Sequence, residues 1–340
     1  MTIPVIHMFD NRYALPAAVA FKSLLDKACR DYEYRIIVLE NDVTEENKRR
    51  LGEVVGRYPN ATLEFVSPKN DYDTVFQGVR NKAHFSKEII YKLSIPDLFP
   101  DLHYAIISDV DCIYLDDISL VYCEFVEKGK GNLLGGITSA RRPLRKMEAF
   151  NSGYEKDFSE AEQRALQWGV GAGFMVYDLD EMRKFGFAEK AMRYFAENAH
   201  RLIQPEQDVI NLVGEGRIHY FSERAMVTIA FYVLSDDDEK ARMREALEHP
   251  IQLHYSSATK PWNFPVSPKA HLWWEICAQT PFFYEAIGRL LPKGFKEISR
   301  WSLFGLPLIT VRADGDVKCV KLAGLELGRI PTHPEEAECK

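Results

Sequence analysis

The chain has 340 residues, 46% of them hydrophobic, and a formal net charge of −7. That length holds one large α/β domain or two smaller ones. The apolar fraction argues against disorder over most of the chain, and the negative balance disfavours a nucleic-acid binder. Six cysteines (Cys29, Cys112, Cys123, Cys277, Cys319, Cys339) lie far apart and form no CxxC pair. Their spacing speaks against a zinc site or a disulfide scaffold and for a reducing compartment.

The first residues, MTIPVIHMFDNRY, lack the basic region and long apolar stretch of a signal peptide. No run approaches ~18 apolar residues, so no membrane span is expected and a cytoplasmic location is. Residues 3–9 read as a first strand ending at Asp10-Asn11-Arg12-Tyr13. Residues 14–25 form an amphipathic helix and residues 35–40 a second strand. Thr44 opens a helix to about residue 58, with acids in its first turn and basic residues further along, as the helix dipole favours. Residues 62–66 are a third strand. This alternation begins a parallel sheet with right-handed crossovers. In such sheets ligands bind beyond the carboxyl ends of the strands. Neither GxGxxG nor GxxxxGK[ST] occurs, so a bound nucleotide would rely on a cation bridge to its phosphates rather than a glycine-rich loop.

FSKEIIYKLSIPDL at 85–98 reads as a helix ended by Pro96. The stretch YAIISDVDCIYLDD follows at 104–117. Its apolar run bounded by acids is the pattern of a buried parallel strand. Asp109 and Asp111, two residues apart at its end, point to the same side. Such a pair repels itself unless a cation sits between the carboxylates, and carboxylate oxygens suit Mg²⁺ and Mn²⁺. A DxD metal site holding a nucleotide diphosphate and a solvated strand end both fit this stretch.

Residues 132–137 form the next strand. Arg141, Arg142, Arg145 and Lys146 then lie close together, either on a solvated face or against an anionic substrate group. Gly169-Val170-Gly171-Ala172-Gly173 opens the run FMVYDL; its small residues allow either close passage by a ligand or tight strand packing. Residues 182–199 are a helix. Gln204-Pro205-Glu206-Gln207-Asp208 starts another, with N-terminal acids of the kind that often only cap. Residues 217–221 and 229–234 look like strands, and Asp236-Asp237-Asp238 opens a further helix. A short strand ends at His254 and is followed by YSSATKPWN. Imidazole can complete an oxygen-rich Mn²⁺ shell, and Lys260 can neutralise a phosphate.

In this order DNRY, IIYKL, SDVDCIYLDD, GAGFMVYDL, EQDVIN and HYSSATKPW resemble family 8 of the retaining glycosyltransferases, which includes glycogenin and bacterial lipopolysaccharide galactosyl- and glucosyltransferases. The resemblance spans about residues 1–265. It implies a GT-A fold: an α/β, Rossmann-like nucleotide-diphospho-sugar transferase with a mixed sheet flanked by helices. It also implies a hexose moved from UDP-glucose or UDP-galactose to a glycan or lipid-linked glycan acceptor. Asp109, Asp111 and His254 would bind Mn²⁺ or Mg²⁺. Asp10, Asn11 and Tyr13 would hold the uridine, and Lys260, with the Ser256-Ser257 backbone beside it, the diphosphate. Lys92, Asp109, Val110, Gly171 and Ala172 would line the donor. Gln207 would lie near the anomeric carbon and Glu206 near the sugar hydroxyls, while Glu206 or Asp208 offers an alternative nucleophile. Three positions depart from the family pattern: Lys92 for Arg, Gly171 for Asn, and Ser257 for Gly. An inactive protein of the same fold that binds UDP-sugar or glycan is the alternative, and a nucleotidyltransferase or sugar-nucleotide hydrolase is a further one.

Residues 266–340 are expected to form an appendage of helices and a short β repeat after a catalytic domain at 1–265. Residues 271–278 and 282–291 read as aromatic-rich helices. SLFGLPL at 302–308 is echoed by KLAGLEL at 321–327, with a turn signal at Ala313-Asp314-Gly315-Asp316 between them, so a hairpin or pair of strands is expected. Seven Lys/Arg stand against four Asp/Glu between Lys293 and Ile330. Two readings remain: peripheral contact with the inner face of the cell membrane or a partner, or a packed subdomain completing the core or a homo-oligomer edge.

Overall fold

In the computed structural model the described residues are 1–68, 72, 76–80, 87–138, 154–229, 232, 240–241, 243–256 and 258–290, together with the backbone of four strands between 297 and 331. They fall into two compact units, Met1–Ala286 and Ile287–Lys340.

The first unit is built on a mixed seven-stranded sheet of order β3-β2-β1-β4-β7-β6-β8. Its strands are β1 (Thr2–Met8), β2 (Glu33–Leu39), β3 (Ala61–Val66), β4 (Tyr104–Ser108), β6 (Leu134–Gly136), β7 (Phe174–Asp178) and β8 (Ile218–Tyr220). β1 to β4 run parallel, and β7 runs antiparallel to both β4 and β6. Helices α1 (Ala14–Lys27) and α2 (Glu45–Val55) provide the early crossovers. Thr44 caps α2, its hydroxyl accepting from Asn47 N at 3.3 Å, which is why the acids behind it sit in the first turn. Neighbouring residues of one strand feed opposite cores: Val5, Ile36 and Ile106 lie in one, Ile6, Ile37 and Ile107 in the other. A sheet buried on both faces explains why these strands read as unbroken apolar runs.

A smaller sheet of order β5-β10-β9 carries the rest of the site. β5 (Cys112–Tyr114) pairs antiparallel with β10 (Gln252–His254), and β10 pairs parallel with β9 (Val227–Thr228). Of the strand expected at 229–234, residues 230, 231, 233 and 234 lie outside the described residues; Val227 and Thr228 are the described residues that pair with β10. Helix α3 (Ser119–Lys128) follows β5, and α4 (Glu160–Gln167) begins with a capping box at Ser159 and Glu162.

Two helix boundaries differ from the sequence pattern. Pro96 does not end a helix: a 3-10 helix covers Lys87–Leu93, and Pro96 stands in the first turn of a new short helix, Ile95–Leu98. The first turn is where a missing N–H costs nothing. The expected helix over 182–199 is two, α5 (Leu179–Phe185) and α6 (Phe187–Asn198). Gly186 breaks them with φ of 70°, a left-handed conformation open to glycine. Helix α7 covers Pro205–Val213. Helix α8 (Ala270–Cys277) inserts the buried Trp273 beside Trp262, with ring centroids 5.6 Å apart, and α9 covers Phe283–Leu290.

In the second unit β11 (Glu297–Leu303), β12 (Leu306–Asp314), β13 (Val317–Leu322) and β14 (Leu325–Pro331) form an antiparallel meander. Leu303 pairs with Leu306 and Leu322 with Leu325, so the leucines flanking each repeat glycine are paired strand ends. Asp314, the last residue of β12, pairs with Val317, the first of β13, so the turn signal that begins at Ala313 coincides with the end of β12. Among the described residues no helix is long and apolar enough to cross a membrane. The cysteines described, Cys29, Cys112, Cys123 and Cys277, are free thiols.

Candidate functional site

Chain topology brings the acidic pair and the distant histidine together. Asp109 follows β4, and its N–H donates to the Gly173 carbonyl at 3.0 Å, just before β7. His254 at the end of β10 is directly opposite Cys112, one residue beyond Asp111. The Tyr255 N–H closes the pairing by donating to the Asp111 carbonyl at 2.8 Å. His254 Nε2 consequently points at both carboxylates, 2.9 Å from Asp111 Oδ1 and 3.8 Å from Asp109 Oδ2. Ligand atoms from the three residues all lie within 4.8 Å of one another.

Two lysines neutralise this pair. Lys260 Nζ donates to Asp111 Oδ2 and to the Tyr255 carbonyl. Burial alone would raise the Asp111 carboxyl pKa, but His254 and Lys260 outweigh it and hold the group well below the usual range. Lys92 comes from the 3-10 helix and is completely buried. Its ammonium donates to Asp109 Oδ1 at 2.7 Å, Glu206 Oε1 at 3.1 Å and the Ala172 carbonyl at 3.1 Å. Burial opposes its charge, yet the two carboxylates prevail and raise its pKa. A lysine has three N–H donors, and all three of Lys92's are used within the protein.

The start of α7 supplies the residues expected near a donor sugar. Gln207 Oε1 accepts from the Ala172 N–H at 2.9 Å and lies 3.9 Å from where a Cβ on Gly171 would be. Glu206 is held by Lys92 through Oε1. Asp208 has a different place. Its carboxylate accepts from Tyr154 Oη at 2.8 Å, Ile203 N at 2.8 Å and Gln204 N at 3.0 Å. It caps the entry to α7, and burial raises its pKa to about 6.

Beyond β1, Asp10 accepts from the Arg12 backbone N–H and from its guanidinium. The Asn11 side chain is tied to the head of α2: Oδ1 accepts from Thr44 N at 3.1 Å and Asn47 Nδ2 at 2.8 Å. Tyr13 packs edge-on against Trp262, 6.1 Å between centroids. Burial, then the charges of Asp111, Asp10 and Asp109, raise its phenol pKa to about 12. Val110 is a core side chain and can offer a ligand only its backbone. Ser257, the Arg141–Lys146 cluster and Asp236–Asp238 lie outside the described residues.

Sequence reasoning missed the support beneath the acids. Ser108 Oγ lies 2.6 Å from Tyr114 Oη and accepts from Gln252 Nε2 at 2.9 Å. His7 Nδ1 donates to the Ser108 carbonyl at 2.8 Å, and Tyr114 N donates to Ser23 Oγ at 3.0 Å. Polar residues inside β1, β4, β5 and β10 were the available signal, since buried polar groups need partners.

The residues present suit a divalent cation: two carboxylates and an imidazole nitrogen converge, and each carboxylate is already met by an ammonium. Oxygen donors with one imidazole fit Mn²⁺ or Mg²⁺ better than a thiophilic metal.

Residues 4–265 match the family model described as "Glycosyl transferase family 8". General stress protein A of Bacillus subtilis (strain 168) is 22% identical over 268 residues, covering 76% of this chain and 87% of its own length. Glycosyltransferase GlyF of Streptococcus pneumoniae serotype 4 is 22% identical over 271 residues, covering 78% and 58%. Among solved structures, the bifunctional glycosyltransferase WbbM superposes with a TM-score of 0.65 at 24% identity, over 85% of this chain and 51% of its own. The galactosyltransferase LgtC, in complex with donor and acceptor sugar analogs, gives 0.64 at 20% identity over 82% and 96%. These likenesses show the GT-A fold.

Proposed function

This chain belongs to glycosyl transferase family 8, and we propose that it moves a glucose or galactose from a UDP-sugar to a hydroxyl of a glycan or lipid-linked glycan, with retention at the anomeric carbon. The observation that carries this reading is the convergence of Asp109, Asp111 and His254, with ligand atoms within 4.8 Å, at the carboxyl end of β4. Mn²⁺ or Mg²⁺ held there would stabilise the negative charge developing on the departing diphosphate.

The chain's own residues divide the remaining work. Lys260, whose ammonium stands against Asp111, would support the departing diphosphate as a point charge. The Asp10–Asn11 backbone and Tyr13 hold the uridine, because the Asp10 and Asn11 side chains are already committed. Lys92 spends its donors on Asp109, Glu206 and Ala172, so it orients the donor site rather than touching the sugar. The second carboxylate oxygen of Glu206 accepts from sugar hydroxyls. Gln207 lies below the anomeric carbon as a neutral amide.

A double displacement needs a carboxylate nucleophile beneath the ring. Gln207 is a poor one, and Asp208 is enclosed by three donors. Front-face attack through a short-lived, oxocarbenium-like ion pair is favoured. The test is product analysis with UDP-glucose and UDP-galactose, Mn²⁺ and a glycan mixture. A glycosylated product with the donor's anomeric configuration supports the assignment. Hexose-1-phosphate or free hexose alone would overturn it, as would a covalent sugar on Glu206 for the front-face route.

A further inference from the structure

Trp168 is 52% exposed, although large aromatic surfaces are normally withdrawn from water. It is nevertheless held in place. Its N–H donates to the Arg164 carbonyl at 3.1 Å, closing α4. Its carbonyl accepts from Tyr220 Oη at 2.8 Å, and the two rings lie 6.4 Å apart with a 54° tilt. The indole N–H meets no acceptor among the described residues.

Its place along the sheet edge gives the pair a meaning. Taken across the strand order, Asp10 lies beyond β1, Asp109 beyond β4 and Gly173 ahead of β7. Tyr220 then ends β8, paired with Gly136 at the end of β6. All of these strand ends lie along one edge. The uridine end is at β1, the metal at β4, and the donor sugar at Ala172 and Gln207 beside β7. Continuing the same way, Tyr220 is three strand spacings past Asp109, about 14 Å at ~4.8 Å each. Trp168 is four residues ahead of Ala172 on the segment that crosses this edge, where Gly171 N donates to the Ile137 carbonyl at 3.1 Å.

We infer that Trp168 and Tyr220 form an acceptor subsite for a neutral oligosaccharide, an inference that rests on the transferase reading above. The apolar C–H face of a pyranose would stack on the indole while its hydroxyls stay in water, and the indole N–H would donate to one of them. At this spacing the stacked ring is not the one that receives the sugar. The platform therefore fits an acceptor longer than a monosaccharide.

The test uses the full chain loaded with UDP and Mn²⁺, a printed array of neutral oligosaccharides, and titration of those retained. Wild type should bind at least one of them. Trp168→Ala should weaken that binding by about tenfold or more, and Trp168→Phe, which keeps a ring, by less than about threefold. The UDP-dependent thermal shift should be the same in all three proteins. Equal binding by Trp168→Ala overturns the subsite, and so does the absence of any bound oligosaccharide on UDP-loaded wild type. Absence of a UDP shift in wild type would instead sink the transferase reading, and the subsite with it.

Discussion

Gly173 and His254 are packed so closely that no other residue fits between them: a Cβ added at position 173 would lie 2.4 Å from His254 Cε1 and 2.6 Å from Nδ1. The glycine thus fixes the imidazole ring whose other nitrogen faces the two aspartates. Gly173→Ala should push the ring off the carboxylates at an overpacking cost of about 2 kcal/mol. The expected result is a protein that still melts cooperatively but binds Mn²⁺ at least about tenfold more weakly, measured by titration of the metal. Unchanged metal affinity would show that His254 is not a ligand.

Lys92 is the buried counter-charge of Asp109 and Glu206. Replacing it by methionine preserves much of its volume and leaves both acids without their cation. Breaking one side of a buried pair typically costs 3–5 kcal/mol; Asp109 keeps some solvent contact, so about 3 kcal/mol is expected. Denaturant unfolding of Lys92→Met measures this.

His7 makes stability depend on pH. Burial lowers its pKa from 6.5 to about 4 despite the Ser108 carbonyl. The unfolded chain therefore takes up a proton between about pH 6.5 and 4 that the folded chain refuses. The neutral ring's contribution is fully present above pH 6.5 and is lost as pH falls towards 4. The difference in unfolding free energy between wild type and His7→Gln should change by about 3 kcal/mol over that window.

Asp208 caps the entry to α7 with a carboxylate that accepts three hydrogen bonds. Asp208→Asn should cost about 2 kcal/mol of stability by losing acceptors for buried donors, yet retain transfer activity at temperatures where it is folded. Glu206→Gln should have the opposite profile: a near-normal fold and a large fall in turnover. Steady-state assays beside melting curves separate the two.

Much of this arrangement could be read from the chain. The acids of SDVDC and the histidine before KPW, whose ligand atoms lie within 4.8 Å of one another, are legible because few residue types can hold a divalent cation, and apolar runs mark strands covered on both faces. Other features depend on contacts far apart in sequence. Glu206, Gln207 and Asp208 are consecutive in an acidic helix start, and only tertiary packing shows that one is held by Lys92, one by Ala172 and one by the loop at 203–204. Gly186 breaking a continuous apolar pattern, and Pro96 starting rather than ending a helix, are local choices that propensity leaves open. The leucine-glycine repeat showed turns but not how many strands they join, since strand count depends on what lies between the copies.

The most direct measurement is the melting temperature of wild type and Asp111→Asn with UDP, each with and without Mn²⁺. Ligand at ~100 times its dissociation constant adds about 2.7 kcal/mol, or about 4 °C for a unit of this size. Stabilisation of wild type by UDP only when Mn²⁺ is present, and its loss in Asp111→Asn, is the predicted result. An equal UDP shift without metal, or one that survives in Asp111→Asn, would contradict a metal-bridged diphosphate at Asp109, Asp111 and His254.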